Sequence, residues 1–405
     1  MKLEAHPDRT LIRAVGSSVR YIRVSLTAPP STSRPKRWPV HLALVLDRSG
    51  SMGGRKIALA RDAVGQTLRL LGPDDQFALV VYDNEVSLLS ASVSATPEAK
   101  QRALERLARI DARGSTDLSG GWLQGTEQLL RTLSADAIGI CFLLTDGLAN
   151  HGITDRAQLM RMAGDLRARG VCTSTFGVGN DFDEGLLRAM AEASSGNFHY
   201  IEAPEEIPEL LTRELGEKLE VVARDVALEV TLAPGVSAEP LTRLPWKQSG
   251  GQLRVQLGHL VSNQEVELVI KLLFPSGEAG RQVATTLSVA HPEVANTSTE
   301  EIRWTWARQE ENDHQSRNRE VEWAVATLYA GRVREEAVER SREGDLEGAR
   351  RVLHATARCI RKYAGDEPRL RTLVAQLEAE AEEYGARPFT TREIRKAIYA
   401  DYVAA

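Results

Sequence analysis

Residues 40–46, VHLALVL, form an almost unbroken apolar run that stops at Asp47. Such a run has no polar face to offer water. It suits a strand covered on both sides, as in a parallel sheet. Strand-like segments recur at QFALVVYD (76–83), EVSLLSASV (85–93), AIGICFLLTD (137–146), VCTSTFGVG (171–179) and NFHYIE (197–202). Helical periodicity separates most of them. Ile57, Ala60, Val64, Leu68 and Leu71 share one stripe, and helices are expected over 97–110, 122–133, 153–170, 184–193 and 205–219. Thr154 is the expected cap of the 153–170 helix, and Gly170 its stop. Strands alternating with helices predict an α/β domain with a doubly wound, mostly parallel sheet.

The flanks follow a different period. Ile22, Val24 and Leu26 alternate with Arg23, Ser25 and Thr27, the pattern of one half-buried strand. A proline-rich linker, APPSTSRPKRWP (28–39), comes next. After residue 220 the alternation returns in five short segments, around 226–232, 253–257, 266–272, 283–289 and 302–306, which predict a β-sandwich. The strand at 20–27 has the same character and is expected to join that sandwich, so that the α/β domain is inserted into it. The expected divisions are 1–37 (first sandwich strand and linker), 38–219 (α/β domain), 220–306 (sandwich) and 307–405 (helical region). In the last, Val321, Ala324, Val325 and Leu328 form one stripe. Leu346, Ala349, Leu353 and Ile360 form a second, and Leu370, Leu373, Leu377 and Tyr384 a third. No fixed repeat period links them. The tail 388–405 reads as a frayed terminus, with an amphipathic docking peptide as the alternative.

Composition removes several function classes. The chain has 405 residues and a formal net charge of −5, which argues against a nucleic-acid binder. Three cysteines (Cys141, Cys172 and Cys359) imply no disulfide framework. The longest apolar run falls far short of the roughly 18 residues of a membrane span. The N-terminus, MKLEAHPDRT, lacks the apolar core of a signal peptide. The expectation is a cytoplasmic protein that contacts neither membrane nor nucleic acid.

Three strand ends carry the candidate chemistry: Asp47-Arg48-Ser49-Gly50-Ser51, the loop Gly114-Ser115-Thr116-Asp117, and Thr145-Asp146-Gly147. Ligands of open α/β sheets bind at the carboxyl ends of the strands, so these segments can converge. Asp47, Ser49, Ser51, Thr116 and Asp146 together offer two carboxylates and three hydroxyls, without thiol or imidazole. Oxygen donors of this kind suit Mg²⁺, and also Mn²⁺ or Ca²⁺. Gly50 is expected to permit the turn that aims alternate side chains at one point. Each residue has a plainer reading. Ser49 and Ser51 could cap the next helix, Asp146 could form a turn, and Thr116 could be a loop hydroxyl. Asp117 is read as a helix cap. Arg48 and Met52 could line a partner-facing rim or merely cover the loop.

These residues resemble the metal-ion-dependent adhesion site of the von Willebrand factor type A (VWA) domain. The family's D-x-S-x-S motif is matched by Asp47, Ser49 and Ser51 after a hydrophobic strand, its loop threonine by Thr116, and its T-D-G aspartate by Asp146. The resemblance covers about residues 38–219. It implies a divalent cation touched by the two serines and the threonine, directly or through water. The aspartates often act through water. It implies an open coordination position for a Glu or Asp of a partner protein, and hence a non-enzymatic adaptor or scaffold. The flanking strands and helical end resemble bacterial intracellular members of the family, which pair with MoxR-type AAA+ ATPases, kinases or stress-response machinery.

The competing expectation is a divalent-metal-dependent phosphohydrolase. A haloacid dehalogenase-like enzyme needs a second Asp two residues after the first, where this chain has Ser49, a poor proton donor near neutral pH. There is no P-loop, no G-x-S-x-G elbow and no zinc spacing among the eight histidines. GVGNDFDEG (177–185) lacks dinucleotide-binding spacing.

Overall fold

The first three strands are β1 (Lys2–Pro7), β2 (Leu11–Arg13) and β3 (Ser18–Thr27). The α/β segment then runs β4 (Val40–Asp47), α1 (Arg55–Leu70), β5 (Gln76–Tyr82), β6 (Val86–Ser94), α2 (Pro97–Leu107), α3 (Leu118–Thr132), β7 (Ile138–Thr145), α4 (Arg156–Ala168), β8 (Val171–Val178), α5 (Glu184–Ser194), β9 (Phe198–Ile201) and α6 (Ile207–Leu219). The remaining strands are β10 (Val221–Thr231), β11 (Ser237–Pro240), β12 (Trp246–Ser249), β13 (Gln252–Val261), β14 (Glu265–Phe274), β15 (Gln282–Ala290) and β16 (Thr299–Ala307). They precede α7 (Gln309–His314), α8 (Arg319–Arg342), α9 (Leu346–Ala364) and α10 (Pro368–Ala386). This computed structural model describes residues 1–30, 37–291 and 298–386. Part of the proline-rich linker and the whole tail 388–405 lie outside the described residues.

Two compact units divide the chain. The first comprises the described residues of 30–224, with Gly258–Ser262. Its sheet has the order β6-β5-β4-β7-β8-β9, with every pair parallel except β5–β6. All eight residues of β4 are buried, which explains the unbroken apolar run. Val40, Leu42, Leu44 and Leu46 pack in one core with Ile57, Val64 and Leu68 of α1, Ala103 of α2, and Leu211 and Leu215 of α6. Ala43 and Val45 point the other way and meet α3 at Gly125. The sheet therefore has helices on both faces, as expected. The chain passes from β4 outward to β5 on one side and later to β7 on the other. That reversal opens a crevice at the carboxyl ends of β4 and β7.

α3 starts earlier than its periodicity indicated, at Leu118 instead of Trp122. Ser119-Gly120-Gly121 read as loop, yet they form the first turn, capped by Asp117, whose Oδ1 accepts from Gly120 N at 2.8 Å. The glycines let α3 lie close to the sheet. A β-carbon at Gly121 would stand 2.4 Å from the Tyr82 ring, and one at Gly125 2.4 Å from Val45 Cγ2. Helix propensity alone favours alanine over glycine by about 1 kcal/mol. Overpacking against a stiff β-branched side chain outweighs that gain. Gly125→Ala is therefore expected to lose about 1–2 kcal/mol in urea unfolding. Gly164→Ala in α4, where nothing lies within 4 Å, is expected to be neutral or stabilising. Likewise Asp155, not Thr154, caps α4, accepting from Gln158 N at 2.7 Å.

In the second unit, β1-β3-β14-β11 form an antiparallel sheet, and β12-β13-β10-β15-β16-β2 form another that is antiparallel except at β16–β2. The strand expected at 20–27 pairs with β14 along its length, Ile22 opposite Ile270 and Val24 opposite Leu268. The chain thus leaves this sandwich-like pair of sheets for the α/β segment and returns to it, so the expected fold class is met. The two-residue-deep alternation missed β11 and β12, which have four residues each. α8 lays Val321, Ala324 and Val325 against Val269 and Leu241, and α8, α9 and α10 share a core built on Leu353, Ile360, Leu370 and Leu377.

Candidate metal centre

β4 delivers Asp47 to the crevice, where it is fully buried. Its Oδ1 accepts from Ser49 N at 2.7 Å and its Oδ2 from Thr145 Oγ1 at 2.6 Å. Both oxygens are thus held by the chain. Burial pushes the carboxyl up to about 6; the bonds from Thr145 and Ser49 oppose that rise and the neighbouring Asp146 adds to it.

A single 3-10 turn, Gly50–Met52, follows. Gly50 lacks a positive φ, contrary to the expectation that it permits the turn; the left-handed position is Gly54, with φ +70°. Neither serine caps α1: Ser49 makes no side-chain capping bond, and the cap position of α1 is Gly54. Instead the hydroxyls of Ser49 and Ser51 lie 3.1 Å apart, and Ser51 Oγ donates to Asp146 Oδ1 at 2.6 Å. Because Ser51 spends its proton on Asp146, Ser49 is the donor to Ser51. Both serine oxygens keep lone pairs.

Asp146 is fully buried, and its second oxygen takes an ion pair from Lys56 Nζ at 2.5 Å. Asp146 therefore does more than form a turn. Thr116 is buried, with its N donating to Asn150 Oδ1 at 3.2 Å and its carbonyl accepting from His151 N at 3.2 Å. A β-carbon at Gly147 would stand 3.3 Å from Thr116 Oγ1 and 3.7 Å from Ser51 Oγ, so these hydroxyls border the same point of backbone. The structure brings all five candidate residues to one end of the sheet.

The loops are fastened to each other. Gly50 N donates to Gly114 O at 3.1 Å, Arg113 N to Arg48 O at 2.7 Å, and Asp117 N to Asp83 O at 2.8 Å. Arg48 and Met52 form no rim. Arg48 is buried against Asp83 at 3.0 Å, and Met52 lies in the core. Arg113 reaches the same Asp83 oxygen at 2.9 Å. Sequence reasoning missed Lys56, Thr145 and Asp83. Thr145 stands within the T-D-G segment, a signal that could have found it. Lys56 and Asp83 gave none.

The residues present fit a hard divalent cation. Two buried carboxylates share one end of the crevice, and one ammonium offsets only part of their charge. Among the described residues no three His, Cys, Asp or Glu side chains cluster with the spacing of a metal site. A cation here would rest mainly on hydroxyl oxygens, which suits Mg²⁺, Mn²⁺ or Ca²⁺ better than soft-ligand metals.

The doubly wound sheet thus carries three hydroxyls and two aspartates at its switch point. Residues 41–213 match the model of the von Willebrand factor type A domain. Uncharacterized protein sll0103 of Synechocystis sp. is 26% identical over 367 residues, covering 87% of this chain and 85% of that one. YfbK of Escherichia coli is 30% identical over 196 residues, 48% of this chain and 34% of that protein. Inter-alpha-trypsin inhibitor heavy chain H1 of Mesocricetus auratus is 33% identical over 163 residues, 38% of this chain and 18% of that protein. The chain thus spans about a third of the E. coli protein and under a fifth of the hamster one. A solved von Willebrand factor type A protein from Catenulispora acidiphila superposes with a TM-score of 0.72 at 18% identity, covering 93% of this chain and 87% of that one. The ArnB paralog VWA2 from Sulfolobus acidocaldarius gives 0.58 at 16% identity over 95% and 99%. At such identities the likeness concerns the fold. No helix among the described residues is long and apolar enough to cross a membrane.

Proposed function

We propose that this domain binds a partner protein by capturing a Glu or Asp side chain through a divalent cation, Mg²⁺ foremost, held by Asp47, Ser49, Ser51, Thr116 and Asp146. The observation that carries the reading is the convergence of Ser49, Ser51, Thr116 and Asp146 from three separate loops onto one point of the crevice. When bound, the ion would supply a Lewis-acidic centre with one coordination position open to an external carboxylate. The chain's own residues do the rest. Asp47 and Thr145 fix the first loop, the serine relay orients lone pairs, and the Arg48–Asp83–Arg113 cluster keeps the loops in register. One metal–carboxylate bond confers little discrimination between partners, so the surrounding loops supply specificity. Among partners, a MoxR-type AAA+ ATPase or a stress-response or signalling protein is the candidate the family resemblance suggests. The three cysteines are free thiols, which fits the reducing cytoplasm.

Pull-down on the immobilised full chain in Mg²⁺ and in EDTA tests this. A partner retained in Mg²⁺ and released by EDTA supports it; retention indifferent to EDTA refutes it. The phosphohydrolase alternative gains nothing from the geometry. No carboxylic acid stands two residues after Asp47, and neither Ser49 nor Thr145 is an acid of useful strength. With p-nitrophenyl phosphate and either Mg²⁺ or Mn²⁺, no turnover above buffer is expected.

A further inference from the structure

Lys56 stands where lysines are usually disfavoured. It lies in the first turn of α1, beside the positive end of the helix dipole, and that turn contains no acidic residue. Its side chain is 26% exposed, yet its ammonium turns inward to the fully buried Asp146 carboxylate. The other oxygen of that carboxylate takes the Ser51 hydroxyl. The turn after β8 leaves room for the ammonium, since a β-carbon at Gly179 would still stand 3.8 Å from Nζ. The neighbouring Arg55 is engaged elsewhere, with Glu205 at 2.7 Å, and Arg48 with Asp83. Among the described residues, Lys56 is therefore the side-chain cation directed at the candidate metal centre.

We propose that Lys56 is a built-in charge regulator of the site, weakening its hold on the divalent cation while strengthening the cation's pull on an external carboxylate. The inference rests on the proposed reading of the site. Asp47 and Asp146 carry two negative charges, and Lys56 cancels one. The crevice then offers a divalent ion one net negative charge, so the loaded site is left with a net positive charge. Without the ammonium the loaded site would be neutral. An incoming carboxylate is drawn to the first state by longer-range attraction as well as by coordination, and to the second by coordination alone. Lys56 also takes one Asp146 oxygen out of contention, which favours a water-mediated role for that carboxylate. Cation affinity and carboxylate affinity are thus expected to move in opposite directions when Lys56 is changed. Loss of folding, or a merely structural lysine, would not produce that pattern.

The test uses the full chain with Mn²⁺ as the metal and acetate as the carboxylate probe. Free Mn²⁺ is followed by electron paramagnetic resonance, and acetate binding by relaxation of its methyl protons at saturating Mn²⁺. Lys56→Met and Lys56→Gln are expected to bind Mn²⁺ roughly tenfold more tightly and acetate several-fold more weakly than the parent, while Lys56→Arg stays close to the parent in both. Circular dichroism confirms folding of each variant. Unchanged or weakened Mn²⁺ binding in both neutral variants overturns the inference. So does a fall in both affinities together. If the parent chain itself binds no Mn²⁺, the reading of the site falls, and this inference with it.

Discussion

Replacing Asp47 by alanine is expected to weaken Mg²⁺ or Mn²⁺ binding at least a hundredfold, measured by calorimetric titration. The residue supplies one of the two carboxylates at the crevice. Its removal leaves Asp146 matched to Lys56, so the cation would enter a site with no net negative charge. Geometry is lost as well. Asp47 Oδ1 holds Ser49 N at 2.7 Å and Oδ2 holds the Thr145 hydroxyl at 2.6 Å, so the turn that aims both serines loses its anchor. Asp47→Asn separates the two effects, because the amide oxygen still accepts from Ser49 N. If charge dominates, the asparagine variant binds nearly as poorly as the alanine one; if the turn dominates, it retains much of the parent's affinity. A thermal readout checks the same point. A ligand present at a hundred times its dissociation constant stabilises the folded state by about 2.7 kcal/mol. The parent's melting temperature should therefore rise with added Mn²⁺, and that of Asp47→Ala should not. An equal rise in both would show that the cation binds elsewhere.

Some of this architecture is legible in the chain because burial on two sides leaves no alternative to apolar residues. β4 and β7 are buried at every position, and their runs lead directly to the candidate aspartates, Asp47 and Asp146. The helical stripes at Leu353, Ile360, Leu370 and Leu377 are equally direct. Short edge elements are not legible. All four residues of β12 are exposed, and a four-residue stretch shows too little period to separate from a loop. The start of α3 is hidden because the glycines that let it approach Tyr82 and Val45 look like loop residues. At the site, the D-x-S-x-S and T-D-G segments are readable because local spacing does the positioning. Lys56 and Asp83 are not, because their roles depend on contacts made 90 residues away in the first case and with Arg48 and Arg113, on separate loops, in the second. The same limit hides a buried polar cluster beneath α6, whose members come from β8, β9 and the helix itself.

That cluster yields the second large expected effect. Glu214 on α6 is 1% exposed. It accepts from Ser174 Oγ at 2.6 Å and from Asn197 Nδ2 at 2.9 Å, meets His199 Nε2 at 2.9 Å, and pairs with Lys218 Nζ at 3.4 Å. Burial alone would raise its carboxyl, but Lys218, His199 and Asn197 outweigh that and hold it below the ordinary carboxylate range. Lys218 is correspondingly raised, because Glu214 more than offsets the burial of its ammonium. Glu214→Ala would strand Lys218 and leave Ser174 and Asn197 without their acceptor. Breaking a buried ion pair from one side costs about 3–5 kcal/mol, so urea unfolding should show a loss of that size. Glu214→Gln keeps acceptors for Ser174 and Asn197 but not the charge, and should fall between. The pH dependence has a definite sign. A carboxyl depressed in the folded state takes up its proton first in the unfolded chain, so its stabilisation is complete above the ordinary carboxylate value and drains away as pH falls below it. The parent should thus lose stability between neutral pH and pH 3 more steeply than Glu214→Gln, and the two curves should converge toward acid. Parallel curves would mean that Glu214 is not held ionised, and that α6 is fastened to β8 and β9 by packing alone.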